Sequence, residues 1–276
     1  MGYKTVMVCL NEVERLPQLL GAARKLAATF DAHISGLYIV PSIEIYGASP
    51  YGEIPMVYDV NNKHIVEQLP TVKEAFEDAM KKDGISYSFH AHNGRTSRIV
   101  DGLIDQALAA DLILVSATST TPKIGVEYDF LQNLIIPVGR PVLILPLKGK
   151  TKLEFDDITL AWKNSRESAR AVFDALPIFN KSRTTHVVCV DEAVPRVLEA
   201  GEIAATLARH KIKVDIINLV SKGMPIGEVL LNAAKDNGSG LLVMGAYGHS
   251  RLMEFILGGA TRSVLQNLDL PVLMSH

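Results

Sequence analysis

Two kinds of hydrophobic pattern alternate along this chain of 276 residues. Short runs of β-branched and other apolar residues, such as 5–10 and 158–162, predict buried β-strands. Each run is followed by apolar residues three and four positions apart, as in 16–27 and 169–176. That spacing predicts helices that place one face on a sheet. The pattern therefore predicts strands and helices that alternate throughout the chain.

The same order of elements, β-α-β-α-β-α-β-α-β, occurs once in each half. It favours a parallel sheet with helices on both faces, so we predict a tandem α/β fold. Each half is expected to form a doubly wound, open, Rossmann-like sheet of five parallel strands. The remaining strands are predicted at 34–40, 86–90, 112–115, 142–145, 185–190, 214–219, 241–244 and 272–274.

Two pairs of segments show that the halves are related copies. Asp111–Ser116 resembles Gly240–Gly245, and Arg140–Leu145 resembles Leu270–Ser275. A polar segment, 148–156, lies between the copies and predicts domains at 1–148 and 153–276. We expect the domains to pack as an intramolecular pseudo-dimer, with the closing strands 142–145 and 272–274 near the contact.

The first half is longer than the second. Matching positions are offset by 152 near residue 11 and by 129 near residue 94, which leaves 23 extra residues between them. The region 41–63 is rich in tyrosine, proline and glycine and leads into an amphipathic helix. Such a long loop is typical either of a covering or interface element or of a passive surface loop. The apolar positions of the helix are Ile65, Leu69, Val72, Phe76 and Met80.

Composition narrows the class of protein. Hydrophobic residues make up 48% and charged residues 21%, which is typical of a globular chain. The net charge of -2 argues against nucleic acid or an acidic membrane as a partner. Cys9 and Cys189 lie in apolar runs without C-x-x-C spacing and predict buried structural thiols. No apolar run reaches the roughly 18 residues of a membrane helix, so a cytoplasmic protein is expected.

A spaced set of glycines follows the fourth strand of the second half. Gly245 and Gly248 come first, nine residues intervene, and Gly258 and Gly259 then open a helix. Glycines at the carboxyl edge of such a sheet let the backbone approach a phosphate and allow positive φ. The start of a helix adds free N–H groups, and Thr261 can cap that helix or donate to a phosphate oxygen. Because these glycines lie between a strand and a helix, they predict an anion site.

With these residues the chain resembles the universal stress protein family in its tandem form. The nucleotide motif of that family is G, two residues, G, nine residues, then G and a Ser, Thr or Asn. The resemblance implies that ATP, with or without Mg²⁺, binds in the second half. It implies that glycines lie against ribose and phosphates, that 258–261 wrap the phosphate chain, and that Cys189 and Met244 line the adenine pocket. The implied nucleotide contacts are Cys189, Met244, Gly245, Gly248, Gly258, Gly259, Ala260 and Thr261.

Two positions depart from the family pattern. Gly259 stands where the motif has a hydroxyl residue, which removes one phosphate ligand. Lys163 stands where the family has an acid; it either pairs with phosphate or is a solvated surface charge. The first half departs further, with Ser116, Ser119, Tyr128 and Asp129 at the glycine positions. We therefore expect that half to be a structural or regulatory copy without nucleotide.

Other polar residues leave alternatives open. His249 and Ser250 lie between the motif glycines and either reach phosphate or are solvated loop residues. His90 and His92 alternate on a predicted strand, but without a third ligand we expect no metal site. Asn164, followed by Glu167, predicts a helix start of the capping-box type.

These patterns lead to a functional expectation. We expect ATP to be a regulatory ligand in a stress response, ordering 246–257 and changing a surface that unknown protein partners read. No positioned general base accompanies the glycines, so we expect no dedicated enzyme activity beyond slow hydrolysis. A homodimer of the whole chain is a further expectation. Two alternatives stay open: a nucleotide-independent module that binds a small ligand or a protein through its N-terminal insertion, and a true ATPase or nucleotidyl transferase.

Overall fold

A computed structural model describes residues 2–41, 60–93, 98–118, 126–127, 129–191, 194–248 and 259–276. All ten predicted strands are found, with ends that differ from the prediction by at most three residues. The strands are β1 (Thr5–Cys9), β2 (His33–Val40), β3 (Tyr87–Asn93), β4 (Leu112–Ser116), β5 (Val142–Leu145), β6 (Asp157–Ala161), β7 (Thr184–Val190), β8 (Val214–Leu219), β9 (Leu241–Gly245) and β10 (Val272–Ser275). The helices are α1 (Leu16–Phe30), α2 (Val60–Lys82), α3 (Ile99–Ala107), α4 (Phe130–Ile135), α5 (Arg166–Phe179), α6 (Val194–Arg209), α7 (Ile226–Asp236) and α8 (Gly259–Gln266).

The strands form one sheet in the order β3-β2-β1-β4-β5-β10-β9-β6-β7-β8. Within each half the five strands are parallel, which confirms the predicted doubly wound architecture. The halves meet where β5 and β10 pair antiparallel, with Leu273 opposite Leu143. The predicted contact through the closing strands is confirmed, and it joins the two five-stranded sheets into one.

Central strands of this sheet are apolar along their whole length. Every residue of β4, β5 and β10 is buried. A sheet with helices on both faces leaves no solvent-facing side, so a run of apolar residues rather than an alternating pattern is expected. The core therefore lies in two layers, one on each side of the shared sheet.

Residues 148–156 pack against both halves, and the Phe155 ring lies 6.1 Å from the Phe30 ring of α1, measured between centroids. Leu153 and Phe155 are buried, and the Lys150 N–H donates to the Asp269 carbonyl at 2.7 Å. The halves also contact each other through the Tyr3 hydroxyl, which donates to the Asp174 carbonyl at 2.6 Å. The segment between the copies is thus part of the packed structure.

The amphipathic helix predicted after the insertion is α2. Its positions Ile65, Val72, Phe76 and Met80 are buried, as expected. The Tyr38 hydroxyl of β2 donates to the Ile65 carbonyl at 2.9 Å and ties the start of this helix to the sheet. Residues 42–59, which carry most of the insertion, lie outside the described residues.

Both cysteines are buried and free of disulfides, as predicted. Burial raises the pKa of the Cys9 thiol to about 12. No helix in the described part of the chain is both long enough and apolar enough to cross a membrane.

Candidate functional site

A cleft of about 900 Å³ opens at the carboxyl ends of the strands in the second half. It lies where β6 and β9 are neighbours and the strand order reverses. Ligands of open α/β sheets bind at this switch point, because the loops that follow the two strands separate there. The size is in the range of about 300–1,000 Å³ typical of small-molecule sites.

One side of the cleft is apolar. Its residues come from the ends of β6, β7 and β9 and from the start of α7. This surface suits a flat aromatic ring, which gains affinity from the apolar area it buries. The apolar lining consists of Ala161, Trp162, Val188, Val190, Met224, Pro225, Ile226, Leu230 and Met244.

The starts of three helices supply the polar side. The first turn of α5 contributes Ser165 and Glu167, α7 begins at Ile226, and α8 contributes Gly259, Ala260 and Thr261. The first turns of α5 and α7 each contain a glutamate, whereas α8 has no acidic residue in its first turn. The N–H groups at the start of α8 are therefore the best placed to attract a negative charge.

Gly245 is required for a different reason from the one predicted. A Cβ at this position would lie 2.5 Å from the Glu167 carbonyl carbon and 2.5 Å from the Ser168 nitrogen. The space beside Gly245 is thus filled by the backbone of α5 and is not free for a phosphate. The residue lines the cleft, but its missing side chain allows a helix to pack on β9.

The expected positive φ is found at Tyr247 and not at Gly245 or Gly248. Tyr247 has φ of 57°, a left-handed conformation that is unusual for a bulky residue. Its N–H donates to the Thr261 hydroxyl at 3.1 Å, which fixes the loop after β9 to the start of α8. Thr261 is buried, so its hydroxyl serves this link and keeps its own hydrogen for a further acceptor.

The Tyr247 hydroxyl is buried and has no hydrogen-bond partner among the described residues, although the side chain lines the cleft. Burial raises the pKa of Tyr247 to about 12. An unpartnered buried hydroxyl destabilises a fold by about 1–3 kcal/mol. We therefore expect Tyr247→Phe to raise the free energy of unfolding of the ligand-free protein by about 1 kcal/mol. Urea denaturation of the two proteins measures this difference, and a loss of stability would show that the hydroxyl has a partner.

Helix α5 begins one residue later than the capping-box prediction. Ser165, not Asn164, is the N-cap, and its hydroxyl accepts from the Ser168 N–H at 3.2 Å. Glu167 does not fold back onto the cap; its side chain reaches the position beside Gly248. Only 7% of Glu167 is exposed. A buried carboxylate therefore lies inside the glycine motif.

Charged side chains flank the mouth of the cleft. Lys163 is exposed, lines the cleft and forms no ion pair with any described residue. Asp191 is exposed and accepts from the Ser221 N–H at 2.8 Å. Hydrogen bonds from Ser221 hold the pKa of Asp191 below its ordinary value. Among the described residues, no three His, Cys, Asp or Glu side chains are grouped so as to hold a metal ion.

The predicted contacts divide into three groups. The first is Cys189, which was expected to line the adenine pocket. It is buried and is not among the residues that line the cleft, whereas its neighbours Val188 and Val190 are. His249, Ser250 and Gly258 lie outside the described residues, so their roles stay predictions. Those that the structure brings together around the cleft are Lys163, Met244, Gly245, Gly248, Gly259, Ala260 and Thr261.

Several cleft residues were not predicted as contacts. Trp162 lines the cleft, and its buried indole Nε1 has no hydrogen-bond partner in the described part of the chain. Ser165, Glu167 and Tyr247 line it as well. Their signal was available in the chain, since all lie in the loops that follow β6 and β9 or in the first turn of α5, where a switch-point site is expected.

The corresponding region of the first half is built differently. The Arg98 guanidinium pairs with Asp129 at 3.2 Å, so this aspartate is engaged within the protein. The carboxylate of Glu127 accepts from the Ile99 N–H at 2.6 Å and occupies the start of α3. Burial raises the pKa of Glu127. In the first half a carboxylate thus occupies the start of α3, the counterpart of α7, and Asp129 is the N-cap of α4, the counterpart of α8. Ser119 and Tyr128 are not among the described residues.

Comparisons with known proteins relate the chain to one family. Residues 154–276 match the Universal stress protein family. The chain is 22% identical over 291 positions to Universal stress protein Slr1230 of Synechocystis sp., covering 98% of this chain and 99% of that protein. The structure of a universal stress protein from Archaeoglobus fulgidus DSM 4304 has a TM-score of 0.71 at 19% identity, covering 98% of this chain and 95% of that one. A functionally unknown protein from Pseudomonas aeruginosa PAO1 has a TM-score of 0.63 at 16% identity, covering 99% and 92%. These structures share the fold.

Proposed function

Because residues 154–276 match the universal stress protein family, we propose that the second half of the chain binds an adenine nucleotide, ATP, as a regulatory ligand in a stress response. The proposal rests on the two kinds of surface that the cleft combines. They are an apolar wall at the ends of β7 and β9 and the acid-free start of α8. An aromatic base and a phosphate chain need these two surfaces in one site.

The residues present fit such a ligand. Val188, Val190 and Met244 offer an apolar surface to adenine. Gly259 has no heavy atom within 4 Å of the position of a Cβ, so the start of α8 is open to phosphate oxygens. Lys163 is free to pair with the phosphate chain at the mouth of the cleft. Mg²⁺ would accompany the phosphates and neutralise their charge.

A regulatory role suits the chemistry of the cleft better than turnover. Asp191 already accepts hydrogen bonds from Ser221, and Glu167 lies against Gly248, so neither carboxylate is free as a general base. Slow hydrolysis of ATP is compatible with this arrangement. Nucleotide binding would act on the loop after Gly248 and alter the surface offered to protein partners in the cytoplasm, within a monomer or a homodimer.

The test of the proposal is a change at Gly259. Gly259→Asp adds a negative charge at the start of α8. For an assumed separation of about 5 Å from a phosphate and an effective dielectric constant of about 20, the repulsion is roughly 3 kcal/mol, so ATP binding should weaken about 100-fold. Gly259→Ser restores the hydroxyl of the family motif and is expected to strengthen binding about tenfold. Isothermal titration with ATP and Mg²⁺ measures both effects.

A matched control separates the site from overall charge. Gly21→Asp places the same charge at an exposed glycine of α1, also with no atom within 4 Å of the Cβ position, and should bind ATP like the wild type. Absence of binding to the wild type would refute the proposal and favour the nucleotide-independent module. Rapid ATP turnover that disappears in Gly259→Asp would favour an enzyme instead.

A further inference from the structure

An ATP site does not explain why the buried carboxylate of Glu167 lies in the cleft. Its Oε2 lies 3.0 Å from the position that a Gly248 Cβ would occupy, inside the motif expected to hold phosphates. Among the described residues, the cation beside it is Arg166 at 3.5 Å, whose side chain is 85% exposed. Solvent weakens that ion pair, so the described part of the chain neutralises the negative charge of Glu167 only weakly.

The position of Glu167 at the start of α5 gives it one structural role. A carboxylate in the first turn interacts favourably with the positive end of a helix. Glu228 has the same role in the first turn of α7, yet it does not line the cleft. Stabilisation of a helix therefore explains the residue type but not the burial of Glu167 against Gly248.

A carboxylate in this position repels a negatively charged ligand. Glu167, Gly248 and the start of α8 line the same cleft, so a phosphate chain bound along Gly248 would lie near Glu167, and two like charges at close range repel. Lys163, at the mouth of the cleft, is exposed, so solvent weakens its compensating attraction. A divalent cation removes the conflict, because hard cations take oxygen ligands from carboxylates and phosphates together.

We propose that Glu167 is a specificity-determining residue that makes the cleft accept a nucleotide polyphosphate complexed with a divalent cation and reject the same nucleotide without the cation. This inference rests on the proposed function, since it concerns the same cleft. It names the form of the ligand: Mg²⁺-ATP, not free ATP. Glu167 acts through its charge, so the neutral variant of the same shape should lose the discrimination.

Titration calorimetry of three proteins tests this inference. Wild type, Glu167→Gln and the matched control Glu228→Gln are each titrated with ATP in Mg²⁺, with ATP in EDTA, and with adenosine. The wild type should bind ATP at least about tenfold more tightly in Mg²⁺ than in EDTA, a difference of about 1.4 kcal/mol. In Glu167→Gln the ratio should fall towards one because free ATP binds more tightly. Glu228→Gln should keep the ratio of the wild type, and adenosine should bind all three proteins equally.

Three outcomes overturn the inference, and each has a different meaning. An unchanged Mg²⁺ ratio in Glu167→Gln would show that another group sets it. Weaker adenosine binding in Glu167→Gln would show that the carboxylate accepts a hydrogen bond from the nucleoside. If no protein binds ATP or adenosine under any condition, the proposed function fails as well.

A series of ligands on the wild type keeps the inference testable if Glu167→Gln does not fold. In EDTA, the affinity should stay level or fall from AMP to ADP to ATP, because each phosphate adds charge near Glu167. In Mg²⁺ the affinity for ATP should recover. A tenfold rise in affinity from AMP to ATP in EDTA would overturn the inference.

Discussion

Gly245→Val is expected to destabilise the chain by about 3 kcal/mol or more, because its Cβ has no space. The obstructing atoms are backbone atoms of α5, at 2.5 Å from the Cβ position, so no rotation of a side chain relieves the overlap. Either α5 moves away from the sheet or β9 shifts in register. Both changes disturb buried residues at the centre of the second half, including Val172 and Val243.

Urea denaturation followed by circular dichroism measures the effect. The matched control is Gly259→Ala, a glycine of the same motif with no atom within 4 Å of its Cβ position. It should leave stability unchanged or raise it by about 0.5–1 kcal/mol, since alanine is the better helix former. Equal loss of stability in both variants would contradict the packing role of Gly245.

This contrast determines how binding experiments should be interpreted. A valine at Gly245 would abolish ATP binding even if the glycine never touched the nucleotide, because the cleft would be distorted. Gly259 is exposed at the first position of α8, so changes there alter the anion site while the core remains packed. Glycines of one motif can thus be required by the fold in one case and by the ligand in another.

The fold was predictable because its signals are local. The ten strands are short apolar runs, and the helices between them carry apolar faces at spacings of three and four. From the repeated order we expected the closing strands near the contact between the halves, and the structure pairs β5 with β10 there. Neither inference required knowledge of side-chain contacts.

The orientation of Cys189 could not be predicted for a physical reason. Strand β7 has buried residues on both faces, including Val187 and Val188, so its sequence lacks the polar alternation that would show which face borders the cleft. Successive side chains point to opposite faces, and an error of one residue exchanges Cys189 for its neighbours. The resemblance to the nucleotide motif indicated which end of the strand borders the site. It did not indicate which of the successive residues face the cleft.

Lys163 and its counterpart Asn11 show why matching positions need not share a role. Asn11 is buried, accepts from the Ile39 N–H at 3.0 Å and donates to the Ile39 carbonyl at 2.7 Å. It therefore links β1 to β2 at the end of the sheet. Lys163 is exposed at the cleft. Alignment of the copies identified the pair of positions, but tertiary contacts assign one to the fold and leave the other available to a ligand.

Phe76→Ala is expected to destabilise the first half by about 3–5 kcal/mol, because it leaves a cavity in a packed core. The ring is fully buried and contacts Tyr87 and Phe89 of β3. It also lies 2.7 Å from the position of a Cβ at Gly36, which explains a glycine in the middle of β2. Gly36→Ala alone should therefore cost about 1–3 kcal/mol by overpacking.

The two changes are expected to compensate when they are combined. In Phe76→Ala the new methyl group at Gly36 no longer meets a ring and partly fills the cavity. The double variant should be more stable than the sum of the single effects predicts, by about 1–3 kcal/mol. A cycle of four urea titrations measures this coupling, and additive effects would contradict the contact between Gly36 and Phe76. ATP titration of the folded variants should match the wild type, because the described residues that line the cleft all lie in the second half.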